Sequence, residues 1–335
     1  MSRPPQQAPS VSTVAQAAGV SRQTVSNVLN APHRVRPETR AKVEAVISEL
    51  GYRPNRVARS LRTRSTHLIG YCVGGDNPLL DRFLHAMSTA AGERGYHLVL
   101  FTAPAGEAGL PAYQDLLARN TVDGFVLSET TVGDRRQQWL ADQGVPFVAF
   151  GRSWTPPEAG SWVDVDGAAG TSAATEHLYE HGHRRIGFVG WPPGSGSGDD
   201  RLSGWRAACH RLGLDDRPAA HGENGIEHGR ALTAELLAGP TPPTALVCVS
   251  DVMAVGALQA SREAGTGLAV VGFDDSPIAA LPGVDLTSVR QPVERIGRDV
   301  LRLLLDHLAD PAHPRQRVLL KPSLVPRASS TNPTG

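Results

Sequence analysis

The sequence predicts two dissimilar parts: a small all-α head and a large α/β body folded as two lobes. Three observations carry that prediction. Over residues 10–54, apolar positions recur at helical spacing around a glycine. Charge divides along the chain. Residues 1–66 hold eleven Lys and Arg against three Asp and Glu, a net +8, and the rest carries −8, so the 335 residues sum to zero. From residue 67 onward, short apolar runs alternate with helix-length stretches.

The head is legible residue by residue. Ser10 is suited to cap a helix whose apolar stripe is Val11, Val14, Ala15 and Ala18. Gly19 ends it, since glycine enters a left-handed conformation at little cost. Ser21 then caps a second helix, Arg22 to Asn30. This turns Val25, Val28 and Leu29 inward and leaves Arg22, Gln23, Ser26 and Asn27 on the opposite face. Two short helices around a glycine-containing turn form a helix-turn-helix, whose second helix enters the DNA major groove. Pro37 fits the first position of a third helix with inner face Val43, Val46, Ile47 and Leu50, ended by Gly51. The concentrated positive charge agrees, because neutralising phosphates requires it and makes binding salt-sensitive. The bland alternative is a solvated charged face.

Apolar strands are expected at His67–Val73, Tyr96–Phe101, Gly124–Leu127, Phe147–Gly151, Ile186–Gly190, Ala245–Val249, Leu268–Phe273 and Leu286–Arg290. Helices are expected at Asp81–Arg94, Pro111–Arg119, Asp134–Gln143, Gly167–His181, Asp199–Leu212, His228–Ala238 and Asp251–Ala264. Strands joined by helices of this length build parallel sheets through right-handed crossovers. So many elements exceed one small sheet, and two lobes with a cleft between them is the economical arrangement. Ligands in such sheets bind at the carboxyl ends of the strands.

Other classes find little support. No 18-residue apolar run exists, and the opening MSRPPQQAPS lacks the apolar stretch of a leader, so a soluble cytoplasmic protein with no membrane partner is expected. Cys72, Cys209 and Cys248 are odd in number and scattered, which suggests reduced thiols. Gly194-Ser195-Gly196-Ser197-Gly198 is glycine-rich but has no following Gly-Lys-Ser/Thr and no nucleophile-elbow pattern, so it reads as a flexible cleft loop. His177 and His181 share a helix face, yet residue 178 is Leu where a metalloprotease helix needs Glu, and both read as structural. Asp115, Glu129 and Asp134 form no recognisable acid–base pair. The chain is expected to be no enzyme and to need neither cofactor nor metal.

The runs Val14-Ala15 through Gly19-Val20-Ser21, Thr24-Val25-Ser26, Val28-Leu29-Asn30 and Arg40-Ala41-Lys42-Val43 resemble the LacI/GalR family of bacterial transcription repressors. Gly51-Tyr52-Arg53-Pro54-Asn55 and Ala58-Arg59-Ser60-Leu61 extend the likeness, which covers roughly residues 10 to 328. The resemblance implies a helix-turn-helix headpiece at 10–54 behind a disordered 1–9, and a hinge helix or linker at 55–66. It implies a periplasmic-binding-protein-like (type I) effector domain at 67–328, crossed by three strands, and a disordered tail at 329–335. One lobe would be 67–164 with 293–317, the other 165–292 with 318–328.

It also implies site residues. Arg22 and Gln23 match the pair that reads base edges, Arg suiting guanine and Gln adenine. Asn27 stands where many members carry Arg, which favours adenine there. Ser21, Thr24 and Ser26 match positions that contact phosphate or only cap, and Asn30 joins this DNA-facing set. Asn55, Arg56, Ala58 and Leu61 fall in the hinge helix that folds on the operator. Leu61 matches the leucine wedged into a minor-groove step, and its neighbours Arg59, Arg62 and Arg64 are too charged for a buried strip.

In the cleft, Asp199-Asp200-Arg201 with Gly204-Trp205 matches the motif whose Arg grips the effector, and Val271-Gly272-Phe273-Asp274-Asp275 the motif whose first Asp accepts a ligand hydroxyl. An Arg201–Asp274 ion pair joining the lobes is the alternative, and both readings are compatible. Ser250 replaces a common Asn, giving a shorter reach. Gln291, Asn77, Ser128 and Arg152 follow strands and are further effector candidates. Trp154, Trp162 and Trp191 are placed in cleft-edge loops, where flat rings suit pyranose faces, while Trp205 and Trp139 lie at helical spacing and are assigned to the core. Phe150-Gly151-Arg152, Trp162-Val163-Asp164-Val165-Asp166 and Gly198-Asp199-Asp200-Arg201 resemble actinobacterial members that sense plant oligosaccharides, cellobiose-type ones among them. The expectation is a homodimeric repressor on a pseudo-palindromic double-stranded DNA operator, released by a disaccharide or β-glucoside. A nucleobase corepressor and a sugar-transport protein are the rivals.

Overall fold

The structure, a computed structural model, describes residues 9–52, 65–75, 77–156 and 158–331. They form two compact units that divide at Thr66/His67.

In the head, α1 (Val11–Ala18), α2 (Arg22–Asn30) and α3 (Pro37–Leu50) follow the expected bounds. Ser10 and Thr13 cap α1 reciprocally, and Gly19 leaves it at φ 63°. The Ser21 hydroxyl accepts from the Thr24 amide at 3.0 Å and caps α2. Val14, Ala15, Ala18, Val25, Val28, Val43 and Tyr52 are buried together as a small core. The hinge expectations for Asn55, Arg56, Ala58 and Leu61 fall outside the described residues, as does nearly all of the N-terminal stretch expected to be disordered.

The body contains two six-stranded sheets. The first takes β1 (Leu68–Cys72), β2 (His97–Phe101), β3 (Gly124–Leu127), β4 (Phe147–Phe150), β5 (Ser161–Val165) and β11 (Arg317–Leu320), in spatial order β11-β5-β4-β3-β1-β2, all parallel. The second takes β6 (Ile186–Gly190), β7 (Ala219–His221), β8 (Ala245–Cys248), β9 (Ala269–Asp274), β10 (Thr287–Arg290) and β12 (Ser323–Val325), ordered β12-β10-β9-β8-β6-β7, with only β12 antiparallel. Helices connect the strands: α4 (Pro78–Glu93), α5 (Leu110–Ala118) and α6 (Arg136–Asp142) in the first lobe, and α7 (Gly167–Glu180), α8 (Ser197–Leu212), α9 (Ile226–Ala238) and α10 (Asp251–Ala264) in the second. The long α11 (Val293–Ala309) returns to pack on α4 and the first sheet. β3, β4, β6 and β8 are buried throughout, as central strands covered on both faces must be, which explains their unbroken apolar runs.

Glycine permits one close helix contact. A Cβ on Gly256 of α10 would lie 2.0 Å from the Ile226 carbonyl oxygen of α9, and one on Gly229 of α9 would lie 2.2 Å from that of Met253.

The chain crosses between lobes at 165–167, 290–293 and 320–323. Three expectations are corrected. Residues 318–320 pair with β5 and belong to the first lobe. Trp162 lies within β5, a strand not foreseen, and is buried in the core beneath the first sheet instead of standing in an edge loop. Ser329 and Ser330 are not a loose tail. Ala328–Ser330 form a 3-10 turn, with Ser330 fully buried and bonded to His177 Nε2 at 2.8 Å and Thr287 Oγ1 at 2.7 Å. Helix α11 and strands β7, β11 and β12 were also unforeseen.

Candidate functional site

On the head, α2 presents Arg22 and Gln23 exposed. Gln23 Nε2 donates to Asn27 Oδ1 at 3.0 Å, one turn on, so these side chains form a paired amide surface. The hydroxyls of Ser21 and Thr24 bond each other at 2.9 Å, and Asn30 Nδ2 donates to the Ser26 carbonyl at 2.7 Å. Ser21, Thr24 and Asn30 thus hold the helix ends.

In the body, the carboxyl ends of both sheets face one cleft of about 1230 Å³, part of it continuous with solvent. Arg201, on the second turn of α8, is only 7% exposed. Its Nη1 donates to the Val249 carbonyl at 2.5 Å, and its Nη2 lies 3.6 Å from Asp274 Oδ1. The guanidinium sits 3.7 Å from the Phe273 ring centroid and 5.2 Å from that of Trp191. Asp274 ends β9 at φ 110°, a conformation few side chains adopt, and accepts Gln291 Nε2 at 2.7 Å. Burial drives the two charges in opposite senses, pushing the Asp274 carboxyl up and Arg201 down, and each partly offsets the other's shift.

Arg152 departs from expectation in that it does not line the cleft; behind the wall its Nε donates to Asp164 Oδ2 at 2.7 Å, and its Nη2 reaches Asp200 Oδ2, across the lobes, at 3.4 Å. Its guanidinium stacks 4.6 Å from the Trp154 ring centroid. Burial raises the Asp200 carboxyl, opposed by Arg152. Trp154 from the first lobe and Trp191 from the second both line the cleft, and their buried indole N–H groups lack an acceptor among the described residues. Gly196 makes room for Trp154, since a Cβ there would lie 2.6 Å from the ring.

Of the other expected residues, Asn77 caps α4 and lines the cleft. Ser250 caps α10, lines the cleft and donates to Asn224 Oδ1 at 2.7 Å. Ser128 departs from expectation: it is 3% exposed, is bonded to the Tyr71 hydroxyl at 3.1 Å and does not line the cleft. Its neighbour Glu129 takes that place. Glu129, Asp164, Asn224 and Asp251 are lining residues the sequence reading missed. Asn224 follows β7, a strand too short to announce itself. Among the described residues, no group of three or more His, Cys, Asp or Glu could hold a metal ion, and no helix is long and apolar enough to cross a membrane.

Residues 10–55 match the model of the bacterial regulatory proteins of the lacI family, and residues 175–330 that of the periplasmic binding protein-like domain. The chain is 37% identical to the HTH-type transcriptional regulator CelR of Thermobifida fusca, over 96% of this chain and 98% of that one. The chain belongs to the LacI family. Among solved structures, this LacI-family chain is similar to a transcriptional regulator CelR–cellobiose complex, with TM-score 0.73, 33% identity, and coverage of 96% of this chain and 99% of that one. It is also similar to the lac repressor dimer bound to operator and the anti-inducer ONPF, with TM-score 0.85, 30% identity and 97% and 99% coverage. As a LacI-family member it is a DNA-binding transcriptional regulator, and its curated relatives are regulators, not enzymes.

Proposed function

We propose that this regulator is a cytoplasmic repressor that binds a pseudo-palindromic operator as a homodimer and is released by a disaccharide or β-glucoside. One observation carries the ligand reading. Two indole faces from opposite lobes, Trp154 and Trp191, share a cleft with the Arg201–Asp274–Gln291 cluster. Apolar ring faces of a pyranose suit the former, and its hydroxyls suit the latter. The similar CelR structure contains cellobiose, which accords with this assignment. Arg22, Gln23 and Asn27 would read base edges, with Leu61 intercalated where the hinge meets the minor groove.

Effector and operator act on one equilibrium. A sugar touching both lobes favours the lobe arrangement it fits, and the operator favours the one that brings two heads onto successive half-sites. Their coupling is reciprocal and typically about 1–3 kcal/mol. The test titrates full-length protein on its promoter fragment with cellobiose, maltose, glucose and the purines guanine and hypoxanthine. Tryptophan quenching and a gel shift run in parallel. Quenching together with release supports the reading, whereas operator binding that only tightens, and only with purines, refutes it.

A further inference from the structure

We propose that Glu129 is an effector-contacting residue that selects uncharged sugars over phosphorylated ones. The proposal deepens the sugar reading above and rests on it for the ligand class. Glu129 follows β3, lines the cleft, and is held at φ 52°, a left-handed conformation that a non-glycine residue adopts at a cost. Neighbouring groups fix this conformation. Arg136 Nη2 donates to the carbonyls of Ser128 at 2.9 Å and Glu129 at 3.1 Å, while Asp134 holds the same guanidinium at 2.7 Å. Strain that the surroundings enforce in this way concentrates at ligand sites. Room for the side chain is also built in. A Cβ on Gly74 would lie 1.9 Å from Glu129 Oε2, so glycine there leaves the carboxylate its present position.

The other cleft carboxylates are already engaged. Asp164 and Asp200 meet Arg152, Asp274 meets Arg201 and Gln291, and Asp251 accepts from Ser276 and Ser288. No hydrogen bond is made to the Glu129 carboxylate within the described residues. It therefore offers a bidentate acceptor for two adjacent sugar hydroxyls. A phosphate placed there would meet this charge, while the Arg201 guanidinium already has its counter-charge in Asp274.

The experiment measures binding by full-length wild type, Glu129→Gln and Glu129→Gly of cellobiose, maltose and glucose, and of glucose 6-phosphate, together with melting without ligand. Wild type should bind a neutral sugar and reject the phosphate. Glu129→Gln should weaken the neutral sugar about five- to tenfold and narrow the discrimination against phosphate, because a charge-assisted acceptor becomes a neutral one. Glu129→Gly relieves the φ and should melt no lower than wild type. An unchanged titration by Glu129→Gln overturns the Glu129 assignment alone. A melting drop of about 4 °C or more in Glu129→Gly makes the residue a structural brace and also overturns it. If no sugar binds wild type, the sugar reading itself fails, and the selectivity with it.

Discussion

Arg201→Met isolates the charge at the centre of the cleft. The methionine keeps apolar contact with Phe273 but leaves the Asp274 carboxylate without its cation. With side-chain exposures of 8% and 15%, both groups are largely desolvated, and removing one partner of such a pair costs about 3–5 kcal/mol. The 3.6 Å separation and the Gln291 bond to the same carboxylate favour the lower end, about 3 kcal/mol. Losing the donor to the Val249 carbonyl adds about 1 kcal/mol. At about 2 °C per kcal/mol for a body of this size, melting should fall about 8 °C. Adding Asp274→Asn to Arg201→Met removes the stranded charge and should restore more than half of the loss, a coupling read from the double-mutant cycle. Without Arg201 the Asp274 carboxyl rises further above its unfolded value, so stability is lost as pH rises, and the deficit is larger at pH 8 than at pH 5. Sugar titration of both variants should show no release from operator. Melting of Arg201→Met within about 1 °C of wild type, or of the double variant below the single one, would refute the buried pairing.

Leu61→Ala should weaken operator binding in a gel shift while sugar titration stays unchanged; equal loss of both would remove the hinge role. Asp251 is held up at about 7 by burial and by Asp274, above the ordinary carboxylate value. Its contribution is therefore full at low pH and disappears as pH rises through about 7, so denaturant midpoints from pH 4 to 8 should fall more steeply in wild type than in Asp251→Asn. Gly256→Ala should cost about 1–3 kcal/mol, read as a lower denaturation midpoint, because its methyl meets the Ile226 carbonyl across the α9–α10 contact.

The head was legible because its signals are local: Ser10 and Ser21 cap, Gly19 and Gly51 turn, and valines mark one face. Central strands were legible as apolar runs. Edge strands were not, because Arg317–Leu320 and Ser323–Val325 are brief and owe their conformation to partners distant in sequence. Trp162 shows the same limit. SWVDV mixes polar and aromatic residues, yet β5 buries every one between β4 and β11. In the cleft, Arg201, Asp274 and Gln291 do converge, following motif and strand-end position. Ser128 does not: its hydroxyl is bonded to that of Tyr71, and Glu129, at φ 52°, stands on the cleft wall in its place. The left-handed turn at Glu129 is held by Arg136 at the start of α6, and no adjacent letter announces it.

The three passages of the backbone between the sheets carry a practical consequence. Each lobe is assembled from discontinuous stretches, and the final strand of each comes from the last twenty residues described. A truncation that keeps either half alone leaves a sheet without its edge and a helix without its bed. Whoever wishes to graft a new sensing specificity onto this scaffold must exchange the entire body at Thr66/His67 or recut individual side chains in place.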